Sequence, residues 1–176
     1  GGVSQKNTVH IELSGTGYAQ VKDWLLVHDW FVTTDSRITR IDIAHDDLRG
    51  NFVNVENAIR WSEEGLFNSY GRPPNRHLRD DLDSGEGKTF YVGRRGNDKY
   101  ARIYEKGKQL GDPFSPWCRA EVEFRASTKT IDHEIFLHPD KYLAGAYKAF
   151  EYLSTEQSKF ESIQKEKELS LSATTD

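Results

Sequence analysis

The chain has 176 residues, a formal net charge of −4, 36% hydrophobic residues and 30% charged ones. That is enough for one domain with a real core. No apolar run approaches the roughly 18 residues of a membrane span, and the acidic total argues against a generic nucleic-acid coat. The single cysteine, Cys118, excludes an internal disulfide and a cysteine-based zinc site, and fits a reducing cytosol. Set between Trp117 and Arg119 at the head of an alternating strand, it reads as a small buried hydrophobe. The opening GGVSQKN shows no secretory leader, and the lack of any Met points to a domain excised from a longer protein.

In chain order, TVHIEL (8–13) alternates and predicts a first strand, with His10 and Glu12 on its polar side. After SGTG (14–17), YAQVKDWLLVHDWF (18–31) has near-helical apolar spacing. RITRIDIAHDD (37–47) predicts a second strand, and Asn54 to Glu64 a short helix. LFNSYGRPPNRHLRDDLDSGEGK (66–88) is too polar and too broken for a core element and reads as a long functional loop. TFYVGRR (89–95), a turn at GND (96–98) and YARIYEK (100–106) predict a hairpin. CRAEVEFRA (118–126) predicts a fifth strand, and a helical part runs from Tyr142 to Lys167 before a frayed tail. The expected architecture is α+β: a mainly antiparallel, curved sheet with helices on one face and a polar catalytic face on the other.

If the strands share one apolar face, their polar faces pool an inventory of chemistry. YARIYEK places Tyr100, Arg102, Tyr104 and Lys106 on one side, Tyr91 joins from the preceding strand, Asp42 and Asp46 from the second strand, and Glu121 and Glu123 from the fifth. Carboxylates of this kind suit Mg²⁺ or Mn²⁺, and a phenol flanked by cations suits attack on a phosphodiester. A cross-strand ion-pair network is the plain alternative. Charge is also uneven along the chain: from Arg72 to Arg102 there are eight Lys and Arg against five acids, and from Glu121 to Asp176 seven against eleven. Any nucleic-acid surface should therefore be local, and Arg72, Arg76, Arg79, Arg94 and Arg95 are the expected phosphate contacts. The six histidines show neither His-x-His nor HExxH spacing, and no glycine-rich phosphate cradle is complete.

RITRIDIAHDD, TFYVGRRGNDKYARIYEKGKQLGD and SPWCRAEVEFR, in that order, resemble the replication initiation factor (Rep_trans) family, and within it the RstA-like replication proteins of filamentous phages. The resemblance covers roughly 8–153 and implies a rolling-circle initiator that nicks one origin strand through a tyrosine, keeps the 5′ phosphate and frees a 3′ hydroxyl. It puts the nucleophile at Tyr104, followed by Lys106, and acids for Mg²⁺ or Mn²⁺ at Asp42 and at Glu121 and Glu123, with either glutamate as the ligand. Arg102, on the same strand face as Tyr104, is the further cation expected to favour the phenolate. Tyr100 stays open as a rival nucleophile. The implied partner is origin DNA, as a hairpin or single-stranded nick site. Host helicase and polymerase and a homodimer are further expectations, with no membrane and a cytosolic location. Residues 1–153 would form the nicking domain and 154–176 a C-terminal helix and tail. A non-catalytic origin-binding module is the alternative.

Overall fold

The computed structural model describes residues 8–154, and the predicted helix beyond Ser154 and the tail lie outside them. Five strands form one antiparallel sheet: β1 (Arg40–Asp47), β2 (Arg76–Arg79), β3 (Thr89–Val92), β4 (Lys99–Tyr104) and β5 (Cys118–Arg125). Their spatial order is β1-β5-β4-β3-β2, so the last strand in sequence lies between the first and the fourth. β5 is thus central, and its register aligns Asp42 with Glu123 and Tyr100, and Ala44 with Glu121 and Arg102. Opposed residues share a face, so the acids of β1 and β5 and the phenols and arginine of β4 point the same way.

The other face is the core. Ile43, Val122, Ala101, Ile103, Phe90 and Val92 are buried there. Helix α3 (Val55–Glu63) covers them with its buried stripe Val55, Ala58 and Trp61, and Phe67 and Phe150 meet edge-on beside it. The α3 helix starts where the sequence says it should: the Asn54 side chain accepts a hydrogen bond from Asn57 N–H (2.7 Å). Helix α5 (Pro139–Ala146), flanked by 3₁₀ turns at His133–Phe136 and Lys148–Phe150, completes the layer. The α+β reading is borne out, as is that of Cys118: it is 4% exposed, and burial pushes its thiol up to about 12.

Four expectations need correction. Residues 8–13 form no strand, and Val9, Ile11 and Leu13 stand exposed, so His10 and Glu12 never reach the sheet. Alternation was present without a neighbouring strand to pair with. The helix read over 18–31 divides into α1 (Gly15–Tyr18) and α2 (Trp24–Thr33), because Asp23 caps a new start, accepting from Leu25 N–H at 2.9 Å and Leu26 N–H at 3.3 Å. The supposed loop 66–88 contains β2, whose four residues are all exposed. A short, charged edge strand gives little hydrophobic signal. Finally, β3 stops at Val92, because Gly93 takes φ +89° and donates its N–H to the Asn75 carbonyl (2.7 Å); a Cβ there would lie 3.1 Å from Lys99 O.

Candidate nicking face

The polar face is built around carboxylates that the fold buries. Asp46 is 9% exposed, Glu121 8% and Glu123 2%. A buried carboxylate is tolerated only with cationic or hydrogen-bonding partners, and each has them. Asp46 accepts from Arg119 through both oxygens (2.7 and 2.8 Å) and from Trp117 Nε1 (2.7 Å). Glu123 lies between Arg125 Nε (2.7 Å) and Arg40 Nη2 (3.1 Å), and Arg40 also forks onto Asp42 (2.8 and 2.5 Å). Glu121 accepts from Arg102 with one oxygen and from the Tyr104 hydroxyl with the other (3.2 Å). Arg102 Nη2 is 3.9 Å from Asp42, so it lies between two carboxylates.

The phenols divide into two environments. Tyr104 is 9% exposed, and burial, then the Glu121 charge, push its hydroxyl well above the usual tyrosine range, with Arg119 and Arg102 pulling it back. Tyr91 and Tyr100 are half-buried and line an open cavity of about 450 Å³. Burial and Tyr91 raise the Tyr100 hydroxyl, while Arg102 and Arg95 oppose them. His77, Arg79, Arg94, Arg95 and Arg102 complete the cavity wall with Gly93.

The structure therefore brings together Arg102, Tyr104, Asp42, Glu121 and Glu123, with Arg79, Arg94 and Arg95 close by across β2 to β4. Three expected placements change. Lys106 leaves the strand face, because β4 ends at Tyr104 and Lys106 opens the short helix α4 (Lys106–Gln109). Arg76 turns to the helical side and donates to Ser62 Oγ (3.1 Å), since it alternates with His77. Arg72 sits in the tight Ser69–Arg72 turn and does not line the cavity. Two residues escaped the sequence reading. Arg119 has the parity of Glu121 and Glu123 and was readable by alternation; His77 could be placed only once β2 was known.

Among the described residues no group of three or more His, Cys, Asp or Glu is arranged to hold a metal ion. Asp42, Glu121 and Glu123 are instead occupied by guanidinium groups. No described helix is long and apolar enough to cross a membrane.

The profile of the family described as replication initiation factor matches residues 36–175, most of the chain. The chain belongs to this family. A solved structure with a similar fold is the rolling circle replication initiator protein from Geobacillus stearothermophilus, at 22% identity and a TM-score of 0.50, over 69% of this chain and 48% of that one. The family member described here spans about half the length of that neighbour. No curated protein matches the chain in sequence. The matched region takes in all five strands and therefore the whole arginine–carboxylate face.

If Asp46 is a buried anchor, Asp46→Ala removes the carboxylate to which Arg119 and the Trp117 N–H donate. Denaturant unfolding should then show a loss of about 3–5 kcal/mol. A loss under about 1 kcal/mol would mark the pair as solvated instead.

Proposed function

We propose that the chain is the nicking and joining part of a rolling-circle replication initiator, cutting one origin strand by transesterification to a tyrosine. The observation that carries the reading is the row Arg102–Glu121–Tyr104. A phenol that donates to a carboxylate, with two guanidinium groups near it, has a proton acceptor and charge stabilisation already in place. In the proposed step the Tyr104 proton passes to Glu121, and the phenolate oxygen forms a bond to phosphorus. The bond from phosphorus to the 3′ oxygen breaks, and that oxygen takes up a proton as the free 3′ hydroxyl. Rejoining runs the same steps backwards. Arg102 and Arg119 favour the phenolate and the charge that develops on phosphate.

A second reading is favoured by the cavity. Tyr91 and Tyr100 open onto it, whereas Tyr104 is nearly covered, and in-line attack needs the reacting atoms roughly 3–3.5 Å apart. In that reading Tyr91 or Tyr100 attacks, and Tyr104 holds Glu121 in place. A denaturing gel with a labelled suicide oligonucleotide carrying the origin, followed by peptide mapping, decides between the phenols. The first reading expects the adduct on Tyr104 and its loss in Tyr104→Phe. An adduct on Tyr91 or Tyr100 would transfer the role, and origin binding without any adduct would leave a non-catalytic binding module.

Mg²⁺ or Mn²⁺ belongs to the proposal through the hard oxygen donors of Asp42 and Glu121, which match such ions in chemistry. When bound, the ion would supply Lewis-acid stabilisation of the scissile phosphate. Arg102 engages the same two carboxylates, so ion and guanidinium compete for them. Arg102→Ala should therefore show a larger rise in melting temperature with Mn²⁺ than the wild type, and Asp42→Ala or Glu121→Ala should show none. No Mn²⁺ effect on the wild type or on Arg102→Ala would remove the ion from the account.

A further inference from the structure

We infer that His77, Tyr91 and Tyr100 form a stacking platform for unpaired nucleotides of single-stranded DNA, with Arg79, Arg94 and Arg95 holding the backbone. The inference rests on the reading of this face as one that processes DNA. Three adjacent strands each contribute one ring. His77 and Tyr91 have centroids 5.9 Å apart with planes at 25°, and Tyr91 and Tyr100 are 5.9 Å apart at 13°. The row follows from register: His77 lies opposite Tyr91, Tyr91 lies opposite Arg102, and Tyr100 is two residues from Arg102 along β4.

This row lies on the polar face, away from the core, and its His77 end stands on an edge strand with every residue exposed. Among the described residues no Asp or Glu lines the cavity, while four arginines do. Arg94 is steered there by an amide: with Asn75 oriented to satisfy its neighbours, its oxygen accepts from Arg94 Nε (2.6 Å) and Nη2 (3.0 Å). Arg102 is paired with Glu121, and Arg79 shares an exposed ion pair with Glu86 (3.4 Å) that a phosphate would have to displace. Aromatic rings beside arginines in an open groove are the chemistry that binds single strands, because every base has a π face and every nucleotide a phosphate. A duplex keeps its bases stacked on one another and out of reach. With bases stacking at about 3.4 Å, the existing ring spacing leaves no room for a base inside the row. A base therefore joins the stack at the exposed His77 end, and the strand continues along Arg79, Arg94 and Arg95.

The test is fluorescence anisotropy of a labelled oligothymidine of about twelve nucleotides, with chelator present so that no cleavage occurs. His77→Ala should weaken binding about tenfold, and Tyr91→Leu, which removes the ring that His77 stacks on, should weaken it about threefold or more. Tyr91→Phe, which keeps the ring, should stay within about twofold, and duplex of the same length should bind equally weakly to all. Melting temperatures check that each variant is folded, and Tyr91→Phe gives the comparison if Tyr91→Leu is not. Wild-type-like affinity in Tyr91→Leu or His77→Ala, an equal loss in Tyr91→Phe, or no binding to oligothymidine would overturn the platform. Ring-dependent binding by a protein that forms no covalent adduct would keep the platform and refute the nicking reading. Adduct formation with ring-independent binding would do the reverse.

Discussion

Everything on the polar face follows from one constraint: carboxylates placed on the central strand and its neighbour β1 must each meet an arginine. Strand β5 is paired on both sides, so water reaches Glu121 and Glu123 poorly, and an unpaired charge there would cost several kcal/mol. The alternation Arg119, Glu121, Glu123, Arg125 along β5, with Arg40, Asp42 and Asp46 on β1, supplies the partners within the sheet itself. Arg102 on β4 extends the network by one strand and carries it to the phenols.

That network does two things at once. It fixes the side chains of the surface proposed to position a phosphodiester, a task that needs placement to within fractions of an ångström. It also divides the phenols by access: Tyr104 is tied into the carboxylates, while Tyr91 and Tyr100 face the cavity. The same arginines that stabilise the fold are the ones a scissile phosphate would meet, so structural and chemical roles share residues and cannot be separated by burial alone.

Much of this was legible in the sequence. Alternation in YARIYEK and AEVEFR put Tyr100, Arg102, Tyr104, Glu121 and Glu123 on one face before any register was known, since a strand's period of two leaves no other choice. The antiparallel sheet with helices on one side followed from the same patterns. The misses have definite causes. The alternation at 8–13 was intact, but pairing is a tertiary property and no strand was there to receive it. Arg76–Arg79 is an edge strand with no buried residue, flanked by prolines and aspartates, so it looked like loop. Lys106 was carried over by parity past the point where β4 gives way to helix. An ion-pair network was one reading of the sequence, but its cross-strand partners, Arg102 with Glu121, Arg119 with Asp46 and Arg40 with Glu123, could not be assigned, because they depend on β5 lying between β1 and β4.

A charge exchange across the central pair tests the account most directly. Arg102→Glu and Glu121→Arg should each destabilise the chain, and the double variant should recover most of the lost melting temperature, because the pair is re-formed in reverse. Nicking should be absent in the double variant, since the carboxylate proposed to accept the Tyr104 proton has moved to another strand. Recovery of nicking together with stability would contradict the assigned chemistry, and failure to recover stability would contradict the constraint on which the face is built.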